Sequence, residues 1–219
     1  MSKLILVRHG ESSGNRERIF AVSPHDLPLT ELGYRQAQQA AQRIAARFRP
    51  ELVITSAYRR ASETARIIAG ALGLPLEFEA NLHEREIGAH RGRSYDSFLT
   101  EPDYDPQRPW AWKPQGGESY EEVQARVGPI LDRLATAHPG KDVVVVSHGG
   151  VMTCLWAYVT GRWGEAHVAP NCGIVLIEHG PKGYSPPHIV AGEISVAGEI
   201  SAAGENSVAG KIGAEDGGG

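Results

Sequence analysis

Runs of apolar residues alternate along the chain with segments in which small and apolar residues recur at helical spacing. The apolar runs predict strands at 3–7, 52–55, 75–79, 142–147 and 173–178. The helically spaced segments predict helices at 30–48, 62–72, 120–137 and 150–159. Gly128-Pro129 should kink or interrupt the third of these helices. The alternation predicts an α/β fold with a mainly parallel sheet covered by helices on both faces.

Two segments depart from this pattern. Residues 88–117 hold four prolines and two tryptophans without clear periodicity, which predicts either a lid over an active site or an irregular surface loop whose tryptophans pack against the core. Residues 191–219 contain four hexapeptides of decreasing similarity, beginning with AGEISV. Their low apolar content favours a disordered tail over a β-solenoid. We therefore divide the chain into a main domain at 1–190, with an insertion at 88–117, and a tail.

Composition limits the class of protein and its partners. The 219 residues are 41% hydrophobic and 22% charged, as in ordinary soluble globular proteins. Residues 1–190 hold 21 acids and 21 bases, so the net charge of −4 lies in the tail and nucleic acid is not the expected partner. No membrane-length apolar run and no signal-peptide pattern is present, and the two cysteines are expected to be reduced. We expect a cytoplasmic protein without membrane partners, and leave a homodimer open.

Two histidines follow predicted strands. Arg8-His9-Gly10 comes directly after the strand at 3–7, and His148-Gly149 comes after the strand at 142–147. Because the carboxyl ends of neighbouring parallel strands meet at one edge of a sheet, we expect both imidazoles to face one site. An arginine beside a histidine suits phosphate chemistry, and the N-terminus of the helix after His148 offers amide donors to an anion.

Two further motifs carry candidate groups for such a site. Arg59 and Arg60 precede the helix at 62–72, and only one of these adjacent side chains is expected to enter the pocket. Glu84 and Glu86 lie ahead of the irregular segment, and a carboxyl group there could protonate a leaving oxygen. Spacing along the chain does not show which of the two arginines, or which of the two glutamates, belongs to the site.

The motifs LVRHGES, SAYRRASETA, LHEREIGAHRGR, GGES and VVVSHGG occur in this order over residues 3–179. Together they resemble the histidine phosphatase superfamily, in its phosphoglycerate mutase-like branch. The resemblance implies a three-layer α/β/α sandwich with a mostly parallel central sheet. It also implies phosphohistidine chemistry on a small phosphorylated metabolite, with no metal and no other cofactor.

The resemblance also implies a role for each motif residue. The catalytic residues would be the nucleophile His9, the proton donor Glu84 and a protonated second imidazole, His148. The phosphate would be bound by Arg8, Asn15, Arg60 and Gly149. The arginine before alanine in the family's middle motif selects Arg60 over Arg59, and the first acid of its Leu-x-Glu motif selects Glu84 over Glu86. Ala57 stands where the family usually has proline, and this difference should make the loop less rigid with little effect on the reaction.

The segment between Glu84 and His148 bears on the type of reaction. The resemblance implies that cofactor-dependent mutases carry a longer insertion here, rich in basic residues that hold a bisphosphate. The insertion of this chain has mixed charge. We therefore predict a phosphomonoester hydrolase, with mutase-type phosphoryl transfer as the alternative and an inactive phosphate-binding or protein-interaction module as a remote one. The insertion's aromatic side chains predict either an apolar pocket wall or additional core packing: Tyr95, Phe98, Trp110 and Trp112.

Overall fold

The computed structural model describes residues 1–23 and 25–190, and the hexapeptide segment that we expect to be disordered lies outside the described residues. The strands are β1 (Ser2–Arg8), β2 (Pro50–Thr55), β3 (Leu76–Phe78), β4 (Asp142–Ser147), β5 (Ile174–Gly180), β6 (Gly183–Tyr184) and β7 (His188–Ile189). The α-helices are α1 (Ser13–Glu17), α2 (Glu31–Arg47), α3 (Arg59–Leu72), α4 (Tyr120–Ala137) and α5 (Gly149–Thr160).

The described strands form one sheet in the order β3-β2-β4-β1-β5-β6, and β7 also pairs with β5. Strands β1 to β4 run parallel, whereas β5 is antiparallel to β1. In the central register Val7 is paired with Val146, and Thr55 is paired with the same valine from the other side. The residues that follow β1, β2 and β4 therefore emerge together at one edge of the sheet.

Alternate residues of the central strands face two separate cores. Val143 and Val145 of β4 pack with buried side chains of α4 and α5, whereas Val144 and Val146 pack with those of α2 and α3. Because side chains alternate across a strand, a continuous valine run is the pattern of a sheet buried on both faces. The predicted α/β/α sandwich with a mostly parallel sheet is confirmed.

Several boundaries differ from the prediction. Helix α3 begins at Arg59 rather than at residue 62, because Tyr58 is the extended residue before its first turn. Helix α4 runs continuously through Pro129, so the predicted interruption is wrong. Burial of Val127, Ile130 and Leu131 offsets the one backbone hydrogen bond that Pro129 cannot make. The short elements α1, β6 and β7 are below the length at which periodicity is visible.

The insertion at 88–117 contains two short 3₁₀ turns, at Gly88–His90 and Tyr95–Phe98. Trp112 is buried against Phe98 and Tyr104, and Trp110 stacks on Trp163 with ring centroids 6.0 Å apart. Both cysteines are buried free thiols. Across the described ranges, no helix combines the length and the apolar character that crossing a bilayer would require.

Candidate active site

A cleft opens at the edge of the sheet where β1 and β2 end. One part of it, the charged floor, carries Arg8, His9, Arg60 and Glu84. Another part, the apolar wall, is formed by Ile19, Phe20, Ala21, Val22, Leu27, Ile87 and Phe98. Further lining side chains are Ser12, Asn15, Ser23, Tyr58, Arg85, Glu86, Arg91, Tyr95 and Tyr120.

His9 is the first residue after β1 and is held in one tautomer by its neighbours. Its Nδ1 lies 2.7 Å from the Gly10 carbonyl oxygen, which can only accept, so Nδ1 carries the proton. Its Nε2 accepts a hydrogen bond from Arg60 Nε at 3.1 Å. A Cβ at residue 10 would lie 2.5 Å from the Gly33 carbonyl oxygen, so the close approach of this segment to α2 requires glycine. The lone pair of His9 therefore resides on Nε2, at the charged floor.

The surroundings of His9 keep its imidazole neutral. The side chain is only 2% exposed. Burial and the positive charges of Arg60 and Arg8 lower the pKa of His9 well below its ordinary range, against the opposing effect of the Gly10 hydrogen bond. A neutral imidazole is the nucleophilic form, so this site favours attack through Nε2.

The two arginines of the floor come from different elements. Arg8 ends β1 and donates from Nη1 to the Ala169 carbonyl oxygen at 2.9 Å. Arg60 lies in the first turn of α3 and is buried. Arg59 points elsewhere, since its half-exposed side chain forms an ion pair with Glu63 at 2.8 Å. The structure thus brings Arg60, and not Arg59, to His9.

His148 lies behind the floor, fully buried, with its ring centroid 5.3 Å from that of His9. Its Nε2 is 3.0 Å from Ser56 Oγ, and its Nδ1 has no hydrogen-bond partner among the described residues. Burial, Arg60 and His9 lower the pKa of His148 well below its ordinary range. The protonated His148 that the resemblance implies therefore depends on a bound anion, whose negative charge raises an imidazole pKa.

The two candidate acids occupy different surroundings. Glu84 accepts from the Gly150 N–H at the start of α5, at 3.3 Å, and from the Arg85 N–H at 2.9 Å. A Cβ at residue 150 would lie 2.5 Å from Glu84 Oε1, so glycine is needed for this approach. Burial would raise the pKa of Glu86, but hydrogen bonds from Tyr58 and Arg91 outweigh it and lower that pKa. These contacts favour the ionised form of Glu86.

The other two predicted phosphate contacts lie at helix starts. Asn15 lines the cleft, where its Oδ1 accepts from the Ser12 N–H at 3.1 Å and its Nδ2 donates to the Tyr95 hydroxyl at 3.3 Å. Gly149 is the buried first residue of α5 and is not one of the cleft-lining residues. Any contact of Gly149 with a phosphate would therefore be made by its backbone N–H.

Sequence reasoning missed several residues of the cleft. The Tyr58 hydroxyl donates to Glu86 Oε1 at 2.8 Å, and the Tyr58 ring lies edge-on to His148 with centroids 5.3 Å apart. Residues 19–22 of the apolar wall follow a short helix and carry no motif that would have indicated them. Of the insertion's predicted wall aromatics, Tyr95 and Phe98 line the cleft, whereas Trp110 and Trp112 do not.

The chain matches known proteins over nearly all of its main domain. Residues 4–189 match the family model of the histidine phosphatase superfamily, branch 1. Phosphoglycerate mutase-like protein 4 of Arabidopsis thaliana is 34% identical over 168 residues, which cover 71% of this chain and 70% of that protein. "Probable phosphoglycerate mutase GpmB" of Salmonella paratyphi C is 34% identical over 193 residues, covering 82% of this chain and 86% of that protein.

Solved structures share the fold. YhfR of Bacillus stearothermophilus superimposes with a TM-score of 0.77 at 28% identity, covering 85% of this chain and 95% of that one. A mycobacterial glucosyl-3-phosphoglycerate phosphatase in complex with VO₃ gives a TM-score of 0.75 at 25% identity, covering 86% of this chain and 97% of that one.

Proposed function

This chain belongs to the histidine phosphatase superfamily, and on that premise we propose that it is a metal-independent phosphomonoester hydrolase that forms a phosphohistidine on His9. The observation that carries the proposal is the state of the His9 ring. Nδ1 is committed to the Gly10 carbonyl, while the Nε2 lone pair meets the Arg60 guanidinium in a buried setting. A phosphate bound by Arg60 and Arg8 would bring its phosphorus atom next to this lone pair.

In the first step, Arg60 Nε–H turns from His9 to the bound phosphate, the freed Nε2 lone pair attacks phosphorus, and the bond between phosphorus and the ester oxygen breaks. The Gly10 carbonyl stabilises the positive charge that develops on the ring, because it accepts from Nδ1–H. Arg8 and Arg60 balance the negative charge of the transferring phosphoryl group. The Glu84 carboxyl group gives its proton to the departing alkoxide, which leaves as an alcohol.

In the second step, the Glu84 carboxylate takes a proton from a water molecule, which attacks the phosphohistidine. The bond between phosphorus and Nε2 breaks, inorganic phosphate forms, and His9 returns to its neutral form. Glu84 is then protonated again and ready for the next ester. The hydrogen bond from Gly150 N–H holds this carboxyl group at the start of α5 in both steps.

The charges of the insertion favour hydrolysis over the mutase alternative. Its basic side chains are largely paired with acids: Arg91 with Glu86, Arg93 with Glu101 at 4.0 Å, and Lys113 with Glu122 at 2.6 Å. A mutase of this type must hold a second phosphate while the first transfers. The pairing leaves less positive charge for that purpose, so water is the favoured acceptor of the phosphoryl group.

Hydrolysis of p-nitrophenyl phosphate by His9→Asn tests the proposal. We expect the variant to lose turnover to the level of buffer, because no other group supplies the nucleophile. His188→Asn is the matched control, since His188 is exposed on β7. EDTA should leave wild-type turnover unchanged. Retained turnover in His9→Asn, or loss with EDTA that added metal restores, would count against the proposal.

A further inference from the structure

Part of the apolar wall, Ile19 and Phe20, is held in place by a segment that is distant in sequence. Residues 18–20 and 92–95 pair through backbone hydrogen bonds: Phe20 N–H to the Arg93 carbonyl at 2.9 Å, Gly92 N–H to the Phe20 carbonyl at 3.1 Å, and Tyr95 N–H to the Arg18 carbonyl at 2.9 Å. An ion pair between Arg18 and Asp96, at 3.1 Å, joins the same segments. The insertion thus fixes Phe20 at the cleft.

The wall begins beside the charged floor. The Tyr95 hydroxyl accepts from Asn15, and the Tyr95 and Phe20 rings pack with centroids 4.8 Å apart. Phe98 and Ile87 extend the apolar surface, and Val22, which is 63% exposed, lies at its outer edge. A group attached to a phosphate on the floor would therefore contact rings and aliphatic side chains.

The cleft offers little to a second anionic group. Apart from Arg8 and Arg60, the arginines that line it within the described residues are Arg85 and Arg91. Arg91 is paired with Glu86. Arg85 donates to the backbone carbonyls of Glu118 at 2.7 Å and Trp112 at 3.1 Å, and it lies 4.3 Å from the centre of the Tyr120 ring.

From this division of the cleft we infer that the preferred substrates are monophosphate esters of apolar, ring-bearing alcohols that carry no second anionic group. The inference rests on the proposed function and specifies its substrate class. Phe20, with Tyr95 beside it, is the specificity-determining residue. It binds the alcohol part of the ester, while the charged floor binds the phosphate.

Three primary alkyl phosphates of similar intrinsic reactivity test the inference: 3-phenylpropyl phosphate, glycerol 3-phosphate and 3-phosphoglycerate. Because their leaving groups are all primary alcohols, differences in kcat/KM report contacts with the rest of the molecule. We expect wild-type kcat/KM to be highest for 3-phenylpropyl phosphate, by about tenfold or more. Phe20→Ala should lower that value about tenfold, mainly through KM, and lower the value for glycerol 3-phosphate much less.

Phe78→Ala is the matched control, because Phe78 is 53% exposed on the edge strand β3, away from the cleft. Val22→Ser, at an exposed position, keeps the test independent of any effect of Phe20→Ala on folding, and it should lower kcat/KM for 3-phenylpropyl phosphate more than for the other two esters. Faster wild-type turnover of 3-phosphoglycerate, or equal effects of Phe20→Ala on all three esters, would overturn the inference alone. Turnover of none of the esters would contradict the proposed function as well.

Discussion

The charged floor and the apolar wall of one cleft are built in different ways. Arg8, His9 and Arg60 of the floor lie at the end of β1 or in the first turn of α3, elements that are fixed by two buried cores. Glu84, the fourth floor residue, lies outside these elements and accepts a hydrogen bond from the first turn of α5. The wall is formed by loop segments that meet through a few backbone hydrogen bonds. Under the proposed function, most of the reacting groups are held by elements of the packed core, whereas the side chains proposed to select the substrate lie mainly on loop segments.

The largest loss of activity is expected when the acid of the charged floor is replaced. Glu84→Gln keeps the shape of the side chain but cannot exchange a proton, and we expect kcat for glycerol 3-phosphate to fall about 10²- to 10⁴-fold. With p-nitrophenyl phosphate the first step needs no acid, so a burst of one p-nitrophenol per site should precede slow turnover. Stopped-flow absorbance measures both phases. Glu86→Gln should give a much smaller loss and no burst, and the reverse pattern would assign the acid to Glu86.

The next largest effect is expected at the guanidinium that contacts His9. Arg60→Lys keeps the charge but loses the planar donor pair, and kcat should fall about 10²- to 10³-fold, as for removal of one donor to a transition-state anion. Arg59→Lys provides the comparison within the same motif, because Arg59 is paired with Glu63 away from the cleft. It should retain nearly wild-type kinetics. Equal losses in the two variants would contradict the assignment of Arg60.

The buried imidazoles of the site should make folding stability depend on pH. Because the folded-state pKa of His148 is lowered, the unfolded chain binds a proton below pH 6.5 that the folded protein does not, and stability falls as the pH falls through that window. Each such group contributes at most about 1.4 kcal/mol per pH unit. In urea unfolding at pH 6.5 and 5.5, His148→Gln should lose less stability than the wild type. An identical loss would show that His148 takes up its proton in the folded state.

The smallest effect is expected at the ion pair that joins the two segments beside the apolar wall. Asp96→Asn breaks the partly exposed ion pair with Arg18, and such pairs contribute about 0.2–1 kcal/mol. We expect a small decrease in the free energy of unfolding and unchanged turnover of glycerol 3-phosphate. Denaturant unfolding and steady-state kinetics on the same preparation test this. A large loss of glycerol 3-phosphate turnover would mean that the wall also supports the floor.

The difference between the charged floor and the apolar wall also explains which parts of the site the sequence could predict. The apolar runs of β1 and β4 and the motifs that follow them predict the fold and bring His9 and His148 to one edge, because buried strands leave a continuous hydrophobic pattern. Pairing of residues 18–20 with 92–95 leaves no periodic pattern, since it depends mainly on backbone hydrogen bonds and on a few side-chain contacts between distant segments. The resemblance selects Arg60 over Arg59, and the structure adds the reason, which is the ion pair of Arg59 with Glu63.

The charge state of His148 could not be predicted from the sequence, because it depends on residues that are distant along the chain. The lowered pKa comes from complete burial and from Arg60 and His9, which are distant in sequence and meet it only in the folded chain. The same holds for Tyr58, whose hydroxyl orders Glu86 while its ring lies against His148. Such contacts are visible only in the folded structure, because no spacing along the chain indicates them.

The most direct test of the account is to locate the phosphoryl group during turnover. Glu84→Gln is mixed with p-nitrophenyl phosphate, quenched in alkali, which preserves phosphohistidine, and digested for mass spectrometry. We predict one phosphoryl group on the peptide that contains His9, and none when His9→Asn is added to the same variant. A phosphoryl group on the peptide that contains His148, or wild-type turnover with no phosphorylated peptide in this trap, would contradict the central claim that His9 is the nucleophile.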